Sequence, residues 1–238
     1  MKSFTINTRA SSNVFALTVI ALGATLLFTP RAGRTQQLQQ GVSVQMAVTN
    51  TAPAMPEADK QDAWIVAVTA DGNVYFGIDP VAPTDLADKM KRIPRRRDQS
   101  LYIKADARAP FAAIRKVLAA AHEVNFNAVV FLTSQAESPA PGVMVPPKGL
   151  EVQVGPHSNA ATIVVQVNAG QPSPTFQVND QEVPATALQD TLKRLLQGRS
   201  DTPVLVKSHG PVAFAPIIYA IDACHAIGAK VTISTPEL

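Results

Sequence analysis

The chain has 238 residues, a formal net charge of +3 and a single cysteine. That length holds one large or two small domains. The lone thiol excludes an intrachain disulfide, and the mild charge, with no basic stripe interleaved with aromatics, excludes a nucleic-acid footprint.

Val14 to Phe28 is an uncharged apolar run, preceded by Lys2 and Arg9 and followed by Arg31 and Arg34. Residues 13–30 read as a transmembrane anchor at the short end of the ~17–25 residues that a spanning helix needs. Residues 1–12 then form a cytoplasmic tail, and 31–40 a Gln-rich tether. A cleavable signal peptide is the rival, but Thr29-Pro30-Arg31-Ala32-Gly33-Arg34 is a poor cleavage site. The first acidic residue is Glu57, and the run holds only Thr18 and Thr25 as polar groups. Proton relays inside membranes use Asp, Glu or His, so this segment can anchor but cannot itself carry a proton.

Beyond the tether, Gly41 to Met46 alternates as a short strand. Trp64–Val68 and Val74–Ile78 form a hairpin around Asp71-Gly72, which supplies the positive φ such turns need. Thr84 stands where a helix N-cap belongs, and Leu86, Met90 and Ile93 follow at helical spacing. A strand over Leu101–Ala105, a helix from Pro110 to Val124 and a strand over Ala128–Thr133 complete the series. Asn125 tolerates the left-handed backbone of a helix stop.

The series then returns at an offset of 102 to 103 residues. Leu86, Met90 and Lys91-Arg92-Ile93 recur as Leu188, Leu192 and Lys193-Arg194-Leu195; Lys104, Phe111 and His122 recur as Lys207, Phe214 and His225. Self-similarity at a fixed period marks repeated units, and this period is domain-sized. The second series predicts strands at Gly149–Val154, Thr162–Val167, Pro174–Val178, Val204–Ser208 and Lys230–Thr235. Its helices are one capped by Thr186 and ended by Gly198, and one on Phe214, Ile217, Ile221 and Cys224 ended by Gly228. The fold class is α+β: two tandem copies of a β-β-β-α-β-α-β sandwich, each a mixed sheet with two helices on one face. The copies occupy 41–133 and 149–238, joined by a stiff Pro-rich linker at 134–148.

Five stretches carry a resemblance to a known family: Leu27-Phe28-Thr29-Pro30 ending the apolar run; Gln40-Gly41-Val42-Ser43-Val44; Ile65 to Val68 with Asp71-Gly72-Asn73-Val74-Tyr75; Ile103-Lys104-Ala105-Asp106; and Asp222 to Gly228 with Val231 to Thr235. Their order and spacing resemble the ExbD/TolR family of bacterial energy-transducing complexes. The resemblance implies a single-pass inner-membrane protein with its bulk in the periplasm. It implies an ExbB/TolQ-like multi-span partner, and contact with a TonB/TolA-like protein or peptidoglycan. It also implies a homodimer, which two copies in one chain could replace with an intrachain pseudo-dimer. The chain departs from the family in having two such domains and in lacking the membrane aspartate that handles the proton. The function expected is therefore an ExbD/TolR-like transport component acting by protein binding. The alternative is a tethered periplasmic adaptor or peptidoglycan-binding module without motor function.

Nothing in the sequence assembles a catalytic, cofactor or metal site. Phosphate loops and nucleophile motifs are absent, Ser208 and His209 point to opposite faces of a strand, and His122 and His225 lack a second ligand one turn away. They read as structural histidines, and Cys224 as a small core residue. The residues expected to meet a partner are Lys104 and Lys207, the matched strand lysines, and the cluster Arg95, Arg96 and Arg97.

Overall fold

A computed structural model describes residues 42–96, 98–135, 146–155, 163–199 and 202–234. The apolar run, the tether, Arg97 and most of the linker lie outside them. Among the described residues no helix is long and apolar enough to cross a membrane.

The first half runs β1 (Val48–Thr49), a 3-10 turn (Pro56–Asp59), β2 (Trp64–Val68), β3 (Val74–Phe76), β4 (Asp79–Val81), α1 (Leu86–Lys91), β5 (Leu101–Ala105), α2 (Phe111–Glu123) and β6 (Ala128–Gln135). The second half runs β7 (Lys148–Gly155), β8 (Ile163–Asn168), β9 (Thr175–Val178), β10 (Gln181–Val183), a 3-10 turn (Ala185–Ala187), α3 (Leu188–Leu196), β11 (Val204–His209), α4 (Phe214–His225) and β12 (Val231–Ser234). Helices and central strands fall where periodicity placed them. The short β4 and β10, which extend each hairpin outward, were not anticipated. Both carry too few apolar residues to alternate, and β4 contains Pro80, which suits an edge strand.

Four expectations are corrected, three of them local. The strand predicted at Gly41–Met46 is displaced: β1 covers Val48–Thr49, and Met46 makes only an isolated bridge to Asp106. Neither threonine caps a helix: Asp85 and Ala187 hold the N-cap positions without a side-chain bond, and the Thr84 hydroxyl donates to Asp85 at 3.1 Å. The linker bounds also shift, because Ser134 and Gln135 belong to β6 and Lys148 to β7.

The largest correction concerns the sheet. Instead of two separate sheets the strands form one, in the order β10-β9-β8-β11-β12-β7-β6-β5-β2-β3-β4, with β1 beside the end of β6. The halves join where β7 lies antiparallel to β6, from Ala128 opposite Gln153 to Thr133 opposite Lys148. The other edge of β7 is parallel to β12, with Gln153 opposite Thr232. β7 therefore fills the edge of β6 and leaves β1 only its last residues, Ser134 and Gln135. Gly149 makes the seam possible, since a Cβ there would stand 2.5 Å from Val130 Cγ1 and 3.1 Å from the Phe131 carbonyl oxygen.

All four helices share one face of this sheet. Strand residues alternate so that Val66, Ile103, Phe131, Val152, Val165, Val206 and Ile233 meet Leu86, Ile114, Leu188 and Phe214 in one apolar core. Phe131 of the first half and Phe214 of the second meet edge to face, with centroids 5.0 Å apart. Such ring pairs contribute about 0.5–1.5 kcal/mol beyond the area they bury. Cys224 is fully buried in this core, which pushes its thiol pKa up to about 12.

Candidate partner-contact surface

The opposite face of the sheet differs between the halves. In the first half Met55, Ala58 and Ala63 cover it, packing on Ile65, Tyr102, Val130 and Leu132. In the second half Val164, Gln166, Lys207, Thr232 and Ser234 on this face stay half-exposed. The two matched lysines fall on these unlike surfaces. Lys104 sits on β5 beside Ala67 and is only 5% exposed. Desolvation lowers its pKa, and among the described residues no hydrogen bond or ion pair reaches its amine. Lys207 stands in the same register on β11 beside Gln166 and is half-exposed.

The arginine cluster is also divided. Arg95 is exposed but lies against the protein: its guanidinium sits 4.1 Å over the Phe126 ring and donates to the Val124 carbonyl at 3.2 Å, closing the end of α2. Stacking on a ring face while donating in its own plane is what a guanidinium does and an ammonium does not. Arg96 faces solvent and pairs with Asp62 at 3.0 Å. His122 is exposed, and His225 Nε2 lies 2.8 Å from the Glu151 carbonyl oxygen, beside the seam.

The halves are also held together by groups the sequence did not single out. The N-termini of α2 and α4 meet: the Phe111 N–H donates to the Val212 carbonyl at 2.9 Å, and the Phe214 N–H donates to the Ala109 carbonyl at 2.9 Å. Under an offset of 103 each of these bonds maps onto the other. Residues 45–51 then form a strap. Asp106 accepts from the Gln45 N–H at 3.1 Å and from the Arg108 guanidinium at 2.9 and 3.1 Å. Chiefly that guanidinium, with the Arg108 and Gln45 amides, holds the Asp106 pKa down at about 2. Farther along, Asp222 on α4 accepts from the N–H groups of Asn50 and Thr51 at 3.0 and 3.1 Å, so a first-half segment is tied to a second-half helix. A buried carboxylate needs such partners. The only sequence signal for this role was an acid inside an otherwise apolar helix face.

A family model described as biopolymer transport protein ExbD/TolR matches residues 2–136, which take in the N-terminal segment and the first half. The chain belongs to the ExbD/TolR family. No curated protein and no solved structure matches it. The ExbD/TolR match joins the apolar run, the strap and the first hairpin in one family unit, and it makes the chain a component of the biopolymer-transport type.

Proposed function

We propose that the chain is a single-pass inner-membrane component of an envelope transport or energy-transducing complex. Its periplasmic part is an intrachain pseudo-dimer of two ExbD/TolR-like domains. It acts by binding protein partners, not by covalent chemistry. The observation that carries this reading is the reciprocal pair of bonds between residues 109–111 and 212–214. A contact in which one patch meets its own counterpart is the signature of a two-fold interface. Here both patches come from one chain, so one polypeptide supplies what two copies would otherwise supply.

The membrane partner is an ExbB/TolQ-like multi-span protein, and a TonB/TolA-like protein or peptidoglycan meets the periplasmic part. Lys207, Arg95 and Arg96 are the partner-contact residues whose side chains reach the surface, Arg95 while it lies over Phe126. The apolar run has no carboxylate or histidine, so any proton coupling in the complex resides in the partner.

Affinity purification of the full chain from detergent-solubilised membranes tests the reading. The expected result is co-recovery of a three-span protein, with one copy of this chain where a single-domain relative would contribute two. Recovery with cell-wall fragments alone would replace the transport reading with a tethered adaptor.

A further inference from the structure

The two halves share a backbone at the end of their second helices but fill it differently. In the first half Asn125 turns left-handed at φ 63° and the Phe126 N–H donates to the Ala121 carbonyl at 2.9 Å. In the second half Gly228 does so at φ 72° and the Ala229 N–H donates to the Cys224 carbonyl at 3.0 Å. Phe126 and Ala229 are therefore register equivalents. Phe126 meets Trp64, which also meets Phe76, with centroids 5.9 and 5.3 Å apart. By strand register their counterparts are Ile163, opposite Val204, and Val178, opposite Val165. Arg95 covers the first site, whereas the second half has Gln197 and Gly198 at that point of the chain. Lys91 pairs with Glu123 in the first half. The counterpart of that glutamate is Ala226, and among the described residues Lys193 has no ion pair.

At the equivalent positions the second half thus has no ring, no cation over it and no carboxylate. At this place lies a cavity of about 420 Å³ lined by Lys193, Arg194 and Leu196, by Gln197 at the Arg95 position, and by Ile227, Gly228 and Ala229. A Cβ built on Gly228 would meet nothing within 4 Å. Among the described residues the lining presents apolar walls, one amide and two cations, and no carboxylate. We infer that this cavity binds a peptide segment in which an aromatic side chain lies next to a carboxylate: the ring takes the volume that Phe126 takes in the first half, and the carboxylate meets Lys193 and Arg194. Aromatic anchors in pockets with a charged rim carry much of the energy of protein–protein contacts, and an arginine fork suits a carboxylate. The inference goes beyond the transport reading and does not need it. Failure to recover a membrane partner would leave it standing, and its own failure would leave the transport reading standing.

The test is isothermal titration of the full chain in detergent with the blocked peptide Gly-Asp-Phe-Glu-Gly. The expected dissociation constant is about 100 µM or tighter. Replacing the peptide's phenylalanine by alanine, or its acids by lysine, weakens binding at least about tenfold. Ala229→Phe copies the first half, fills the cavity and removes binding. Arg194→Glu, at an exposed position that leaves the core untouched, weakens it about tenfold or more and keeps the test decisive if the first variant folds poorly. Absence of heat at millimolar peptide, or equal binding to the wild-type chain and both variants, would overturn the inference. Self-association of the chain that Ala229→Phe abolishes, without peptide binding, would put a second copy in the cavity and overturn it too.

Discussion

The two halves of the sheet repeat one order of elements with unlike surroundings, and the unlike parts teach more than the shared ones. On the helix face the halves are continuous: one apolar core runs through both. On the other face the first half is covered by residues 55–63, while the second keeps a half-exposed polar surface. Strand-end residues diverge with their tasks. Asp106 holds the strap, whereas its counterpart His209 is exposed and its carbonyl accepts from the Ala169 N–H at 3.0 Å. One backbone plan therefore serves as a structural half and as an open half, and the seam at β6 and β7 makes each depend on the other.

The comparison breaks most visibly at the shared core. Phe214→Ala removes the ring that meets Phe131 across the halves and leaves a cavity, so it costs about 3–5 kcal/mol. Urea unfolding followed by tryptophan fluorescence, which reports on Trp64 in the first half, shifts by that amount although the substitution lies in the second. A Trp64 transition that stayed in place would mean the halves unfold separately. At the seam itself, Gly149→Val drives a side chain into Val130 and the Phe131 carbonyl and costs about 3 kcal/mol. Gly155→Val, where a Cβ meets nothing within 4 Å, changes stability by less than about 0.5 kcal/mol.

The strap sharpens the contrast between Asp106 and His209. Asp106 has a folded pKa of about 2, below the ordinary ~3.9 of an aspartate. The unfolded chain therefore binds its proton first as pH falls. The stability it supplies is complete above about pH 4 and is lost as pH falls through about 2. Asp106→Asn lowers stability at neutral pH by about 1.5 kcal/mol and flattens this part of the acid profile. His209→Asn leaves that acid profile unchanged. The smallest effect separates the matched lysines. Lys104→Met is neutral or stabilising at neutral pH, because a cation with no partner among the described residues leaves a desolvated site, and it abolishes a rise in stability toward high pH. The rise occurs because burial lowers the folded pKa of Lys104, so the proton leaves the folded chain before the unfolded one. Lys207→Met changes stability by less than about 0.5 kcal/mol.

Much of this architecture was legible in the chain. Period-2 and helical spacing located the central strands and all four helices, and Asn125, Gly198 and Gly228 marked helix ends by their tolerance of positive φ. The repeat gave the common order of elements. The seam was hidden, because β7 reads from its sequence as the opening strand of an independent unit. Nothing in Gly149 to Val154 says that one edge will pair with the preceding half. The strap was hidden too, since Asn50 and Thr51 find their acceptor, Asp222, only in three dimensions. Lys104 and Lys207 matched in sequence and register, but which of them is covered depends on residues 55–63, far from both in the chain. Arg95 and Arg96 are alike in sequence and both exposed, and only the fold brings Phe126 beneath Arg95.

Native-state hydrogen exchange across β7 tests the fused sheet most directly. With β6 on one edge and β12 on the other, the amides of residues 149–154 belong to the slowest class, opening together with residues 101–105 and 204–208 of the two halves. Fast exchange in 149–154 while those strands stay protected, each at its own rate, would mean two independent sheets and would contradict the account.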